Sequence, residues 1–158
     1  MTSSMVVGLV SDTHGQVRPE TISALQGVQL IVHAGDVGGA DVLRALKAVA
    51  PVLAVSGNVD DRSDPMLPRE RSVPVGDLML HVSHGDELGS PKPEALLARY
   101  AADILVYGHT HRPLEFRSPD GRLVVNPGAA GPRRFNLLPS VARLTVAGRQ
   151  VHVEFIEL

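Results

Sequence analysis

The chain lacks cysteine entirely, and it also has no tryptophan. Without cysteine, neither a disulfide framework nor a thiolate metal site can form. Excess charge of one sign is missing as well, because the formal net charge is only -2 over 158 residues. No bulk positive charge is therefore available to hold extended nucleic acid or an anionic membrane. We expect neither as a partner, and any affinity for phosphate must be local.

Long apolar runs are a further absence. The opening stretch "MTSSMVVGLVSD" holds a short apolar run and no basic leader, and no later stretch is long enough to cross a bilayer. We therefore expect a cytoplasmic protein. The composition, 44% hydrophobic and 20% charged residues, is typical of an ordinary globular chain, and this length fits one domain over residues 1–158.

Short apolar runs rich in β-branched residues recur along the chain. They predict buried strands at residues 5–10, 30–32, 52–55, 78–82 and 104–107. Helical spacing of apolar residues predicts helices at 19–25, 41–50 and 93–102. This alternation predicts an α/β fold with a largely parallel sheet. Turn signals predict antiparallel strands within 70–82 and from residue 113 onward, and residues 60–70 should form a surface loop.

A polar cluster follows each of the five apolar runs: "SDTHG", "HAGDVGG", "SGNVDD", "SHGDE" and "GHTH". Because loops after the carboxyl ends of parallel strands meet at one edge of a sheet, we expect these clusters to converge on one crevice. The candidate metal ligands that they supply are Asp12, His14, Asp36, Asn58, His84, His109 and His111.

This set combines two carboxylates, one amide oxygen and four imidazoles. Such a mixture suits divalent Mn, Fe, Co, Ni or Zn better than calcium. Seven ligands exceed what one ion needs, and a bridging carboxylate would let two ions sit roughly 3.5 to 4 Å apart and hold a hydroxide beside a phosphoryl oxygen. Two dications, two carboxylates and a hydroxide leave a charge of about +1, which would attract a phosphoester.

The motifs "DTH", "GD", "GNVD", "HGD" and "GHTH", in this order, resemble those of the calcineurin-like metallophosphoesterases. The resemblance is closest to their small single-domain bacterial and archaeal phosphodiesterase branch. It extends from residue 7 to about residue 132, and "NPGAAGPRR" looks like the closing "NPGS" element of that branch. The resemblance implies a four-layer αββα sandwich of mixed sheets, with a dinuclear metal site at the carboxyl edge of the strands.

The resemblance also implies how the ligands divide between two divalent ions. One ion would be held by Asp12, His14, Asp36 and His111, and the other by Asp36, Asn58, His84 and His109. Asp36 would bridge the two ions, and each ion would take one histidine of the "GHTH" motif. We expect manganese first, with nickel, iron, cobalt or zinc as alternatives.

Val59 departs from the wider family, most members of which have histidine directly after the asparagine. That histidine is assigned to transition-state stabilisation or to protonation of the leaving group. Valine can do neither, so this sequence names no protein general acid. We expect activity to be better on esters with acidic leaving groups, which need little protonation.

Further candidates are less specific. Asn58 and Arg133 are predicted to contact the substrate, because an arginine fork near the site, from Arg133 or Arg134, can bind phosphate. Two arginines beside a prolyl turn are more often part of a charged surface. His33 and His81 lie inside apolar runs and are predicted to be hydrogen-bonded core histidines.

The leading functional prediction is a hydrolase that cleaves phosphoesters, most of all phosphodiesters, by a hydroxide that bridges two divalent metals. Its substrate would be a small phosphoester such as a nucleotide or a cyclic diester. The alternative is a catalytically weak or inactive scaffold that acts through protein contacts, as the retromer's metallophosphoesterase-like subunit does. A homodimer formed through an exposed apolar surface is a further expectation.

Overall fold

The computed structural model describes residues 4–134 and 136–158. Its strands, in chain order, are β1 (Ser4–Val10), β2 (Leu30–His33), β3 (Val52–Ala54), β4 (Glu70–Val75), β5 (Leu78–Ser83), β6 (Ile104–Val106), β7 (Leu114–Arg117), β8 (Leu123–Asn126), β9 (Ser140–Ala147) and β10 (Gln150–Glu157). Its helices are α1 (Pro19–Ala24), α2 (Ala40–Lys47) and α3 (Pro93–Arg99), with a short 3-10 turn at Asp86–Leu88. No helix within these ranges is long and apolar enough to span a membrane.

The strands form two mixed sheets. The first has the order β10-β9-β1-β2-β3, in which β1, β2 and β3 are parallel and β9 and β10 are antiparallel. The second has the order β4-β5-β6-β8-β7, in which β5, β6 and β8 are parallel and the two edge strands are antiparallel. The predicted hairpin within 70–82 is confirmed, and so is the antiparallel pairing after residue 113, except that β8 also pairs in parallel with β6.

Alternating side chains of each strand build the layers. In β1, Val7 and Leu9 face the second sheet, where they meet Val82, Val106 and their neighbours. Each such Val or Leu, when fully buried, contributes about 1.5–3 kcal/mol to stability. The predicted sheet-on-sheet interior is therefore present.

The outer faces of the two sheets are covered by helices. Leu46 of α2 and Leu25, directly after α1, pack with Ile31 against the first sheet. Leu96 of α3 packs with Leu105 against the second sheet. The layers therefore run helix, sheet, sheet, helix, and the predicted αββα sandwich is confirmed.

Gly8 shows how close the first helical layer lies to its sheet. A Cβ atom at this position would stand 2.7 Å from Cδ2 of Leu25, which is closer than two carbon atoms can pack. The missing side chain in the middle of β1 therefore makes room for the residue that ends the α1 segment.

The helices are shorter than the apolar spacing predicted. The prediction of 93–102 for α3 is wrong by three residues, because Tyr100 has extended dihedrals, with φ -125° and ψ 139°. Its ring stacks on His81 with 4.0 Å between ring centroids. Tertiary stacking therefore ends the helix where the sequence pattern continues. The prediction of 41–50 for α2 is likewise too long, since the helix ends at Lys47.

Backbone hydrogen bonds join the loops that follow the parallel strands, both within each sheet and between the two sheets. Between the sheets, the N–H of Ala130, after β8, donates to the carbonyl of Ser11, after β1, at 2.9 Å. The N–H of Asp12 donates to the carbonyl of Gly35 at 2.9 Å, which ties the loop after β1 to the loop after β2. The N–H of Gly108 donates to the carbonyl of His84 at 3.0 Å, which ties together two loops of the second sheet. The polar clusters predicted from the sequence therefore lie at one edge of the sandwich.

Candidate metal centre

Backbone strain is concentrated in the predicted ligands. Among the described residues, the non-glycine positions with positive φ are Asp12 (53°), His14 (47°), Asp36 (54°), His109 (70°) and His111 (65°). The left-handed region is unfavourable for side chains with a Cβ, and it persists only where the surrounding structure fixes it. The fold therefore holds these five side chains in directions that a relaxed loop would not give them.

Asp12 is fixed through one carboxylate oxygen and exposes the other to the site. Its Oδ2 accepts hydrogen bonds from the Ser11 hydroxyl at 2.5 Å and from the N–H of His109 at 3.1 Å. Its Oδ1 is buried and has no hydrogen-bond partner among the described residues. One oxygen thus orients the residue, and the other remains available as a ligand.

Asp36 is arranged in the same way. Its Oδ1 accepts a hydrogen bond from the N–H of Val59 at 3.0 Å. Its Oδ2 lies 3.6 Å from Nε2 of His14 and 3.3 Å from Nε2 of His84. The loop after β3 therefore aims one oxygen of Asp36 between two histidines.

Three buried polar atoms converge without a hydrogen-bond partner anywhere in residues 4–134 and 136–158: Oδ1 of Asp12, Nε2 of His14 and Nε2 of His84. An unsatisfied buried polar atom costs about 1–3 kcal/mol. Native proteins leave few such atoms, and three of them on one carboxylate and two neighbouring imidazoles form a set of donors suited to a bound ion. A bound cation would satisfy all three atoms, so the donor set fits a metal.

The described part of the chain contains two overlapping groups of possible ligands. The groups are Asp12 with His14 and His111, and Asp12 with Asp36 and His84, and within each group the ligand atoms all lie within 4.8 Å of one another. The shortest contact is 3.2 Å, between Nε2 of His111 and Oδ1 of Asp12. Carboxylate and imidazole donors at these separations suit a transition-metal dication.

The four histidine rings stand in pairs. His14 lies beside His111, with 5.5 Å between ring centroids, and His84 lies beside His109, with 5.1 Å. His109 thus adjoins the second group although it is not a member of it. The side chain of Asn58 is exposed, and its neighbour Val59 makes the backbone bond to Asp36.

The carboxylates set the protonation of the site. Burial lowers the pKa of His84, but the carboxylate of Asp36, 3.3 Å from its Nε2, and the charge of Asp12 outweigh burial and raise this pKa to about 9. Burial raises the pKa of Asp36, but His84 and the N–H of Val59 outweigh it and lower this pKa to about 2. In the absence of metal, His84 therefore supplies the positive charge that the two aspartates attract.

The hydrogen bond made by Nδ1 of His84, the ring nitrogen that faces away from the two aspartates, fixes the tautomer of this histidine. Nδ1 lies 2.7 Å from the carbonyl oxygen of Ala34. A carbonyl can only accept, so Nδ1–H is the donor. The lone pair of neutral His84 is then on Nε2, the buried atom that faces Asp12 and Asp36, which is the arrangement of a metal-binding histidine.

Asp60 ties two of the site loops together. Its carboxylate accepts hydrogen bonds from the N–H groups of Val37 at 3.0 Å, Gly38 at 3.1 Å and Gly57 at 2.8 Å. The loop that carries Asp36 is thereby clamped to the loop that carries Asn58. The sequence feature that could have predicted this role is an acidic residue two positions after Asn58.

The two core histidines differ. His33 is hydrogen-bonded at both ring nitrogens, to Thr13 at 2.9 Å and to the N–H of Gly35 at 3.1 Å, as predicted. His81 is buried, but its Nε2 has no hydrogen-bond partner in the described part of the chain. The predicted core position of His81 is therefore confirmed, but the predicted hydrogen bonding is not found at Nε2 among these residues, where the ring instead stacks on Tyr100.

A cleft of about 220 Å³ opens beside the centre. Its lining consists of His109, Thr110, His111, Arg112, Arg134 and Leu137. Arg133, the arginine singled out from the sequence, is exposed and does not line this cleft. Of the two neighbouring arginines Arg133 and Arg134, it is Arg134 that lines the cleft, together with Arg112.

Comparison with known proteins identifies the family. A model of the calcineurin-like phosphoesterase superfamily domain matches residues 5–149. A probable metallophosphoesterase of the archaeon Methanothermobacter thermautotrophicus is 34% identical over 162 residues, covering 96% of this chain and 92% of that relative. The phosphodiesterase YfcE of Escherichia coli K12 is 34% identical over 134 residues, covering 70% of this chain and 71% of YfcE.

Solved structures agree with this relationship. The structure of E. coli YfcE, described as a phosphoesterase, matches with a TM-score of 0.67 at 26% identity, covering 97% of this chain and 99% of that one. Vacuolar protein sorting 29 of Cryptosporidium parvum matches with a TM-score of 0.81 at 23% identity, covering 98% of both chains, and shares the fold. The resemblance seen in the sequence motifs is confirmed: this chain belongs to the calcineurin-like phosphoesterase superfamily, in its small bacterial and archaeal branch.

Proposed function

We propose that the protein is a metal-dependent hydrolase that cleaves phosphodiesters. The observation that carries this proposal is the convergence of three buried polar atoms without hydrogen-bond partners among the described residues, on Asp12, His14 and His84. The family supports phosphoester hydrolysis, and the relative named phosphodiesterase YfcE favours diesters.

We propose two ions, held by Asp12, His14, Asp36, Asn58, His84, His109 and His111. Asp12 belongs to both ligand groups, but Asp36 is proposed as the shared ligand. Its Oδ2 lies 3.6 Å from Nε2 of His14 and 3.3 Å from Nε2 of His84, closer to both than Oδ1 of Asp12, at 3.9 Å and 3.8 Å. Oδ1 of Asp12 lies nearest to His111, at 3.2 Å, which favours its assignment to the ion of His14 and His111. When bound, two dications would supply a hydroxide at neutral pH and stabilise charge on the phosphoryl oxygens.

The chain's own residues would position the substrate. Arg112 and Arg134 line the cleft beside His109 and His111, where a guanidinium can donate paired hydrogen bonds to phosphate oxygens. We therefore propose Arg134, rather than Arg133, as the arginine that binds phosphate, with Asn58 as a further contact. Small diesters, including nucleotides and cyclic diesters, fit a centre with no extended basic surface.

The test uses protein stripped of metal by a chelator and then loaded with manganese, nickel or zinc. Hydrolysis of bis(p-nitrophenyl) phosphate and of p-nitrophenyl phosphate is measured for the wild type and for the Asn58→Ala and His84→Ala variants. We expect metal-dependent cleavage that is faster for the diester and nearly abolished in both variants. Manganese is the ion expected to support the highest rate.

A scaffold function is the second candidate, and the fold shared with vacuolar protein sorting 29 favours it. A scaffold would keep the metal centre as a structural element without turnover. If the loaded wild-type protein binds metal but cleaves neither ester faster than its own variants do, hydrolysis is excluded and the scaffold function stands.

A further inference from the structure

A cavity of about 610 Å³ lies outside the first sheet, between α2, β3 and the segment 59–67. Its apolar lining includes Leu43, Val52, Ala54, Val59, Met66 and Leu67, with Ala40 at the start of α2. Ligand pockets for small organic groups have volumes of about 300–1,000 Å³ and a mainly apolar lining. Both the size and the lining of this cavity fall within that class.

The cavity adjoins the candidate metal centre. Val59, which lines it, directly follows Asn58 and donates its N–H to Asp36. Asp60 also lines it and holds the loop of Asp36 through the N–H groups of Val37 and Gly38. The two loops that carry the proposed ligands Asp36 and Asn58 therefore form one wall of the cavity, so a group bound there would lie beside the reacting phosphate.

Apolar side chains are left uncovered around this cavity. Val59 is 54% exposed and Met66 is 65% exposed. Covering such surface contributes about 25 cal/mol per Å². Together with the apolar lining, these two residues offer the contact that an aromatic or other weakly hydrated group needs.

Charges in the lining balance one another: Asp60, Asp61 and Asp64 against Arg44, Lys47 and Arg71. Several are already engaged. Asp61 accepts hydrogen bonds from Ser63, and Arg71 donates to the carbonyl of Ala54 at 2.9 Å. The cavity therefore favours a neutral group over a second phosphate or a cation. In this it differs from the cleft lined by Arg112 and Arg134, which favours phosphate.

We propose that this cavity binds an uncharged aromatic ester group of the substrate, of nucleoside size, while the phosphate lies at the metal centre. The proposal rests on the proposed phosphodiesterase function and adds a substrate class to it. Val59 links the cavity to the metal centre. It supplies an apolar wall of the cavity at the position where most of the superfamily has a polar imidazole.

The binding test does not need turnover. Metal-stripped protein with ¹³C-labelled methyl groups is titrated with thymidine, an uncharged nucleoside, and methyl shifts are followed by NMR. We expect saturable shifts at Leu43, Val52 and Leu67. The Ala40→Phe variant, which fills the cavity from an exposed position in its lining, should lose these shifts. The control Ala98→Phe, an exposed alanine on α3, should keep them.

The kinetic test compares two diesters with the same charge and the same leaving group, thymidine 5′-(p-nitrophenyl phosphate) and methyl p-nitrophenyl phosphate. In the manganese-loaded wild type, the KM for the thymidine diester should be about tenfold lower. Ala40→Phe should bring the ratio of the two KM values close to one, whereas Ala98→Phe should leave it unchanged.

The two proposals fail in different ways. If both diesters are cleaved with equal KM and thymidine shifts no cavity methyl group, the substrate class is wrong and the hydrolase stands. An unchanged KM ratio in Ala40→Phe overturns the inference as well. If the wild type cleaves neither diester, the phosphodiesterase proposal itself fails, and the cavity then has no substrate to bind.

Discussion

Nε2 of His33 lies 2.9 Å from the hydroxyl oxygen of Thr13, and the surrounding hydrogen bonds fix which atom donates. The Thr13 hydroxyl donates to the carbonyl of Val37 at 2.8 Å, so it accepts from Nε2–H of His33. Nδ1 of the same ring accepts the N–H of Gly35 at 3.1 Å. Both bonds exist only for the neutral imidazole. His33 therefore holds the loop of Asp12 against the loop of Asp36 in one protonation state.

The first prediction concerns the pH dependence of folding. Burial lowers the pKa of His33 from 6.5 to about 4, despite opposing charge from Asp12. The unfolded chain therefore binds more protons at this residue between pH 6.5 and pH 4. The contribution to stability is fully present above pH 6.5 and is lost as the pH falls through this window. Between pH 8 and pH 5 the loss should be about 2 kcal/mol.

The measurement is urea unfolding of metal-stripped protein at pH 8 and pH 5, for the wild type and for His33→Asn. Other titrating groups act equally on both proteins, so the difference between their unfolding free energies isolates His33. This difference should shrink by about 2 kcal/mol on acidification. A difference that stays constant with pH would show that the His33 ring is not held neutral.

The second prediction concerns the division of ligands between the two ions. Because the ring of His111 stands beside His14 and that of His109 beside His84, each of these two histidines should serve a different ion. His111→Ala and His109→Ala should therefore each lose one proposed ion and retain the other, as measured by metal content after gel filtration. Loss of both ions in one variant and of neither in the other would contradict this division.

The third prediction concerns the space behind Asp36. A Cβ at Gly57 would collide with the carboxylate of Asp36 and its backbone nitrogen. Gly57→Ala should lower stability by about 1–3 kcal/mol and weaken metal binding, because Asp36 must move. The control is Gly121→Ala, where a Cβ meets nothing within 4 Å but the positive φ of 87° is strained. It should lower the melting temperature and leave metal binding unchanged.

The sequence predicts which residues form this site, but it does not predict the contacts that hold them in place. Apolar runs that end in polar clusters predict where Asp12, Asp36 and His84 lie, because the carboxyl ends of parallel strands share one edge. The clamp formed by Asp60 depends on three backbone N–H groups that face one carboxylate, and spacing along the chain does not encode that geometry. The same holds for Tyr100, which directly follows α3, because its stacking partner His81 lies on β5.

The fourth prediction separates two neighbouring arginines. The pattern "PRR" offers Arg133 and Arg134 equally, and only Arg134 lines the cleft of His109 and His111. Arg134→Ala should raise the KM for bis(p-nitrophenyl) phosphate about fivefold, which corresponds to the loss of about 1 kcal/mol of hydrogen bonding. Arg133→Ala is the matched control and should change the KM by less than about twofold. A larger rise in KM for Arg133→Ala than for Arg134→Ala would assign the phosphate contact to Arg133 instead.

The last prediction concerns proton donation. Val59 is exposed beside Asn58 and cannot protonate a leaving oxygen. The rate should therefore fall steeply as the pKa of the leaving phenol rises across a series of aryl diesters. Val59→His places an imidazole at this position and should flatten the dependence, with a gain of up to about a hundredfold on the least acidic leaving group.

Val59→Asn is the matched control, because its amide offers hydrogen bonds but no titratable proton. It should leave the slope of log kcat/KM against leaving-group pKa unchanged. A wild-type slope near zero would mean that protonation does not limit cleavage. A slope flattened equally by asparagine and histidine would assign the effect to polarity at this position, since only the imidazole can supply a proton at neutral pH.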